Sequence, residues 1–285
     1  ALSRGRQAHR SMINAHLHID CTQKLGSLER IWASIGYDEL NWTYTPRGKA
    51  LYRTLQQLAE TPYYVRQHNA LTSGNGLSSP AAGSTNVFHL DADGQPFYDW
   101  TILDQIYDTL TSSGFRPLVE FGFLRRDLVP GEVNSADWLR DVGRESYESD
   151  GWWKYPPKDY SLWAELIEAF VRHVIERYGQ AQVETWLFEV WNEPNLSLEW
   201  GNAAPDPARY TSLLQASYAT VKAADAAALV LTAGLASTGG DGGRTAVDDC
   251  AFIEGMYAAG AKAYFDGLGS HPYGFANSPE TRNVN

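Results

Sequence analysis

The sequence predicts an α/β fold: a parallel sheet wrapped by helices and rolled into a (β/α)8 TIM barrel. Three observations carry this reading. The run VETWLFEVW, Val183 to Trp191, is apolar and aromatic with only Glu184, Thr185 and Glu189 breaking it, as in a strand buried on both faces. Apolar runs of this kind alternate along the chain with helical stretches opened by capping residues. Several runs also end in a polar side chain followed by loop signals, at His68, Glu120, Glu193 and His271. In a parallel barrel that C-terminal rim is where ligands are held, while the interior below stays packed.

Composition bounds the function. A chain of 285 residues, 44% hydrophobic, is large enough for one barrel. Its net charge of −11 argues against nucleic acid or an anionic membrane as partner, and mildly against a polyanionic substrate. Aromatic residues make up 13% of the chain, with 10 Trp and 16 Tyr, and aromatic faces suit the C–H faces of sugars. Two cysteines, Cys21 and Cys250, imply neither a disulfide framework nor a metal site. No apolar run approaches the ~20 residues that span a bilayer. No cofactor is called for.

Residues 1–29 read as an N-terminal extension and 30–285 as the catalytic domain. Within the extension, residues 12–22 alternate apolar and polar, the period of a half-exposed strand. The first barrel strand is expected at Arg30 to Tyr37, with Asp38 after it as a turn cap or a hydroxyl ligand. Pro46 opens a helix whose Leu51, Leu55 and Leu58 form one face. The second strand, Thr61 to Leu71, puts Arg66 and His68 on one side, two residues apart. A loop follows from Thr72 to Thr85, and Asp99 then caps a helix with Ile102, Leu103, Ile106 and Leu110 inward and Gly114 past its end. The third strand, Arg116 to Phe123, carries Glu120, for which an arginine such as Arg66 is a natural partner.

The second half repeats the pattern. A long insertion, Arg125 to Lys158, holds Trp138, Trp152, Trp153 and Tyr155, which serve either as a wall of the site or as packing on the barrel's flank. Asp159 or Ser161 starts a helix with a Leu162, Leu166, Phe170 and Val174 stripe; His173 on its flank carries no function. The buried run of the fourth strand then stops at Pro194, and the proline should hold Glu193 extended at the rim. Asp206-Pro207 is a cap followed by proline at the first helical position. The fifth and sixth strands are expected at Ala228 to Gly234 and Phe265 to Tyr273.

Trp191-Asn192-Glu193-Pro194-Asn195 resembles the Asn-Glu-Pro motif of clan A retaining glycoside hydrolases, and within the clan the chain is most similar to glycoside hydrolase family 39, the β-xylosidase and α-L-iduronidase family. The resemblance runs from about Ile31 to Tyr273. It implies a (β/α)8 barrel, a retaining mechanism on a neutral pentoside, and Glu193 as general acid/base. Asn192 beside it, Asp38 in SIGYDELNWTY, Arg66 and His68 in Arg-x-His, Glu120, and His271 with Tyr273 in His-x-Tyr become substrate-binding or supporting residues. The partner implied is an oligosaccharide or glycoside.

Within the family an α-L-iduronidase-like glycosidase is the alternative, and two readings outside it compete. His16-Leu17-His18 is the pairing with which metal-dependent amidohydrolases open their barrel, although the histidines of their later strands have no counterparts in LVLTAGLAST. A carbohydrate-binding or inactive homologue is the other. The mechanism itself leaves a gap, because a retaining glycosidase needs two carboxyl groups ~5 to 5.5 Å apart. In the clan the nucleophile is a Glu ending the seventh strand. The rims at Glu193, Gly234 and His271 are 41 and 37 residues apart, so a seventh belongs beyond Asn285; Glu280 follows His271 by only nine. The expectation is therefore six of eight strands in this chain, with another chain or a further C-terminal segment completing the barrel.

Overall fold

The computed structural model describes residues 16–23, 25–27, 31–72, 84–122, 128, 154–201, 203–240 and 242–273. The chain divides into two compact units, Ala1–Trp32 and Ala33–Asn285. In the first, residues 16–23 are exposed and form no strand. The alternation that suggests one is overridden locally. Asp20 accepts from the Thr22 N–H (3.0 Å), the Thr22 hydroxyl (2.7 Å) and Gln23 Nε2 (3.1 Å), and so bends the chain into a turn. Residues 12–15 lie outside the described set.

The second unit holds β1 (Ser34–Gly36), α1 (Pro46–Leu58), β2 (Tyr64–Gln67), β3 (Phe88–Leu90), β4 (Pro96–Tyr98), α2 (Thr101–Ser112), β5 (Arg116–Phe121), α3 (Tyr160–Tyr178), β6 (Leu187–Val190), α4 (Pro207–Ala224), β7 (Leu229–Thr232), β8 (Leu235–Ala236), α5 (Asp249–Ala258) and β9 (Ser270–His271). The main sheet runs β1-β2-β5-β6-β7, every pair parallel. In register, Arg66 lies opposite Leu118, and Glu120 opposite Glu189. The sixth strand joins through a bridge between Leu231 and Gly267 and then the short parallel ladder of β8 with β9. This is the parallel, helix-wrapped architecture of a (β/α)8 barrel, with six of its strand positions present among the described residues.

Local chemistry sets the helix starts. Thr45 accepts from Gly48 N ahead of Pro46, Asp159 from Ser161 and Leu162, and Asp206 from Ala208 and Arg209 ahead of Pro207. Asp99 accepts from Thr101 N at 2.9 Å, and Gly114, at φ 78°, follows α2. The helices pack through rings. Phe170 of α3 meets Phe121 of β5 edge-on (5.3 Å, 87°), Phe121 stacks on Phe188 of β6 (5.5 Å), and Trp163 Nε1 donates to Ser217 Oγ of α4 at 2.8 Å. Each such buried ring contributes roughly 1.5–3 kcal/mol through lost water contact.

Three expectations need correction. On α1 the buried residues are Gly48 and Tyr52, with Leu55 half-buried, while Leu51 and Leu58 are 42% and 72% exposed. The face is turned because Gly48 lies against the carbonyls of Trp42 and Thr43, an approach that any Cβ would block. The fourth strand begins at Leu187, since Val183 closes a helical turn, Gln180–Val183, that follows Gly179 at φ 85°. A short apolar run does not separate helix from strand by itself. The sixth strand is broken where Gly269 approaches Thr232 O and Gly234 N, at 2.7 Å from where a Cβ would stand. The β3–β4 hairpin was not anticipated, although Asp93-Gly94 at its turn, with Gly94 at φ 76°, is a hairpin signal.

Candidate active site

The strand ends gather a charged cluster around one arginine. Arg66, on β2, donates from Nε to Glu189 Oε2 at 2.6 Å, and from Nη2 to Glu120 Oε2 at 2.7 Å, Asn192 Oδ1 at 3.0 Å and Glu189 Oε1 at 3.3 Å. The register explains the geometry, because Glu120 and Glu189 are paired neighbours on β5 and β6 and offer their carboxylates side by side. A guanidinium suits the place, since its fork serves both acids at once. Burial works against the Arg66 charge, but the charges of Glu120, Glu189 and Asp38 outweigh it and raise its pKa.

One residue past β2, His68 Nδ1 lies 2.5 Å from Glu120 Oε2. Burial opposes the imidazolium, yet the charge of Glu120 and its hydrogen bond prevail, and the His68 pKa is raised. Glu120 is fully buried; burial favours its neutral form, and the nearby His68 and Arg66 outweigh that and lower its pKa. The expected pairing of Glu120 with Arg66 is present. Asp38, exposed just after β1, is near enough for its charge to act on both Arg66 and His68.

Glu193 stands at the far side of this cluster in sequence and beside it in space, through its neighbour Asn192. Its carboxylate Oε1 lies 2.7 Å from Nδ1 of His271, at the end of β9. The expected extended backbone is not what forms. Glu193 has φ 42° and Trp191 φ 74°, left-handed values that are costly for residues with a Cβ. The kink is held at both ends: Glu193 N donates to Gly234 O at 3.1 Å, and Leu196 N to Glu193 O at 2.9 Å. Asn195 locks the following loop, giving Nδ2 to Ala236 O and Val247 O while its Oδ1 takes Ala236 N. Gly234 is required beside His271, because a Cβ there would run into the imidazole ring.

Of the sequence-derived site residues, Arg66, His68, Glu120 and Asn192 form one connected cluster, Glu193 and His271 a second pair joined to it by the chain, and Asp38 acts by charge. Tyr273 is 59% exposed, and its N–H donates to His271 O. His16 and His18 are exposed and lie on no strand. Of the insertion's aromatics, left open between a wall of the site and packing on the flank, only Tyr155 is described, and its ring packs against Gly201; Trp138, Trp152 and Trp153, like Glu280, lie outside the described residues. Two acids were missed. In sequence Glu189 only interrupts an apolar run, and its place directly across from Glu120 makes it the second partner of Arg66. Glu199, buried after the Asn-Glu-Pro motif, carries no local signal at all.

Successive strand ends of this parallel, helix-wrapped architecture thus bring together carboxylates, imidazoles, an amide and a guanidinium, groups that a clan A glycoside hydrolase can use. The chain is a member of glycosyl hydrolases family 39, whose family model matches residues 18–238. It is 39% identical over 152 residues to a beta-xylosidase of Geobacillus stearothermophilus, covering 53% of this chain and 27% of that protein. A beta-xylosidase of Caldicellulosiruptor saccharolyticus is 36% identical over 104 residues, 36% of this chain and 19% of that protein. The crystal structure of a monomeric beta-xylosidase from Caulobacter crescentus CB15 superposes with a TM-score of 0.62 at 28% identity, covering 85% of this chain and 41% of that one. The chain thus spans about a quarter or less of the curated relatives it matches. Membership of this family sets aside the amidohydrolase reading of His16 and His18.

Proposed function

We propose that this chain is the acid/base-bearing part of a retaining glycoside hydrolase acting on a neutral pentoside, β-xylosidase-like, with Glu193 as general acid/base and the nucleophile supplied from beyond residue 285. The observation that carries the reading is the placement of Glu193. It stands at a strand-end mouth, its carboxylate set by His271 at 2.7 Å, next to an asparagine whose amide oxygen is held by Arg66. Family membership and the two beta-xylosidase relatives support the substrate class, as does the net charge of −11.

In the first step Glu193 gives its proton to the leaving oxygen while a carboxylate on the opposite face attacks the anomeric carbon. In the second, Glu193 takes a proton from water as that water displaces the enzyme's carboxylate. Arg66 takes no direct part; held by both acids, it orients Asn192. Glu120 fixes the His68 ring in turn. The nucleophile comes from the seventh strand, in a further C-terminal segment or a second chain that also completes the barrel beside β1 and β9.

The test uses the full-length protein. Glu193→Ala should lose far more rate on β-xylosides with poor leaving groups than on activated aryl β-xylosides, and azide should restore turnover of the activated substrates by replacing water in the second step. Equal losses on both substrates without rescue would overturn the assignment. An inactive carbohydrate-binding homologue would bind the xyloside without turning it over.

A further inference from the structure

The first turn of α4 sends a tyrosine hydroxyl to the ends of two strands. Asp206 caps this helix and its carbonyl takes Tyr210 N at 3.0 Å, which fixes the level at which the Tyr210 side chain leaves the helix. The side chain is fully buried. Its ring packs on Trp200 (6.3 Å, 73°) and Phe252 (5.9 Å, 50°), and the hydroxyl reaches past them to the sheet. Val190 and Thr232 are the last registered pair of β6 and β7. Directly after them the hydroxyl donates to Val190 O at 2.9 Å and accepts from Ala233 N at 2.7 Å. It is an oxygen spliced into the ladder where a further rung would close, and it holds the two strand ends apart by its own width.

The next residue, Gly234, carries both supports of Glu193. Its carbonyl takes Glu193 N at 3.1 Å, its N–H is fixed by Glu189 Oε1 at 2.8 Å, and its Cα lies against the ring of His271, whose Nδ1 is 2.7 Å from Glu193 Oε1. On the other strand, Val190 precedes Trp191, where the left-handed kink begins at φ 74°. The hydroxyl thus joins the last regular residue before the kink to the strand end on which the kink hangs. Packing of α4 does not require it, because Leu213 and Leu214 are buried on the same helix and a phenylalanine ring would fill the same space. Without it, Val190 O and Ala233 N would be buried and unpaired, or would meet only by drawing the end of β7 toward β6. That movement carries Gly234 with it.

We propose that Tyr210 is a positioning residue for the acid/base step: its hydroxyl sets the spacing of the β6 and β7 ends and, through Gly234, the place of the Glu193 carboxylate. Tyr210 touches no sugar and moves no proton. Its effect falls on the distance over which Glu193 delivers a proton to the leaving oxygen, and a misplacement of ~1 Å in such a geometry costs about 10²-fold in rate. A leaving group that departs without a proton is indifferent to that distance.

This inference rests on Glu193 being the acid/base, and the test keeps the two apart. In the full-length enzyme, Tyr210→Phe removes one oxygen and keeps the ring, so the fold stands. Its kcat/KM, which reports the first step, should fall roughly ten- to a hundredfold on an unactivated β-xyloside and less than about threefold on an activated aryl β-xyloside. Phe252→Leu, which loosens the packing of the same ring without touching the hydroxyl's partners, should lower stability in urea and leave the ratio of the two substrates unchanged. A Tyr210→Phe enzyme that loses the same factor on both substrates, or on neither, while Glu193→Ala still discriminates between them, would overturn the proposal and leave the hydroxyl as a strand clasp. If Glu193→Ala shows no discrimination either, the reading of Glu193 as acid/base fails and that of Tyr210 falls with it.

Discussion

Replacing Arg66 with methionine isolates what holds the mouth together. The substitution keeps much of the stem's bulk and removes four charge-assisted bonds: two to Glu189 and one each to Glu120 and Asn192. The two acids do not lose everything. Glu120 keeps His68 at 2.5 Å, and Glu189 keeps the Gly234 N–H at 2.8 Å. Glu189 nevertheless remains buried without its cation and Glu120 with His68 alone, and removing one partner of a buried pair costs about 3–5 kcal/mol. Against a total stability of ~5–15 kcal/mol, that is a large fraction. Arg66→Lys, which keeps the charge and loses the fork, should cost less than half as much.

The pH dependence has a fixed sign. Arg66 and His68, outweighing burial, hold the Glu120 pKa below its ordinary 4.5, so this stabilisation is complete above that value and is lost as pH falls through the folded-state pKa. In Arg66→Met burial pushes the same carboxyl upward. Urea unfolding followed by fluorescence of the buried Trp163, Trp186, Trp191 and Trp200 should show the full gap near pH 7 and a smaller one toward pH 4.5. A cost below about 1 kcal/mol at pH 7, or a gap that widens on acidification, would refute the reasoning.

Further outcomes follow from single contacts. His68 has a raised pKa, so its bond to Glu120 stabilises fully below the ordinary 6.5 and fades as pH rises through the folded value; His68→Gln should flatten the stability profile above about pH 6.5 in denaturation series. Gly234→Ala drives a Cβ into the His271 ring, and overpacking of about 1–3 kcal/mol should lower kcat/KM of the full-length enzyme roughly ten- to a hundredfold in steady-state assays. Phe170, in contact with Trp100, Tyr107 and Phe121, should cost about 3–5 kcal/mol on replacement by alanine, read by calorimetry.

What was legible in the sequence was local. Pro46 and Asp206-Pro207 mark helix starts as read, and Asp159 rather than Ser161 is the cap of α3, each set by bonds within three residues. Arg66 and His68 share a side because a strand has a period of two. Tertiary neighbours decided the rest. Leu51 and Leu58 form an apolar stripe on α1, but the carbonyls under Gly48 choose the face that turns inward. Pro194 favours an extended residue before it, yet the Glu193 N–H bonds to Gly234 O from a left-handed conformation, a long-range partner that no local rule contains. Glu189 looks like an interruption of apolar sequence until the register places it beside Arg66.

The claim at the centre is a double displacement in which Glu193 is the acid/base and the nucleophile comes from beyond Asn285. Reaction of the full-length protein with an activated 2-deoxy-2-fluoro-β-xyloside, which slows the second step and leaves the sugar on the nucleophile, followed by peptide mapping, tests it most directly. The account predicts one fluoroxylosyl group per chain on a glutamate C-terminal to Asn285, with Glu193, Glu120 and Glu189 unlabelled. Label on Glu120, Glu189, Glu193 or Glu280 would contradict it.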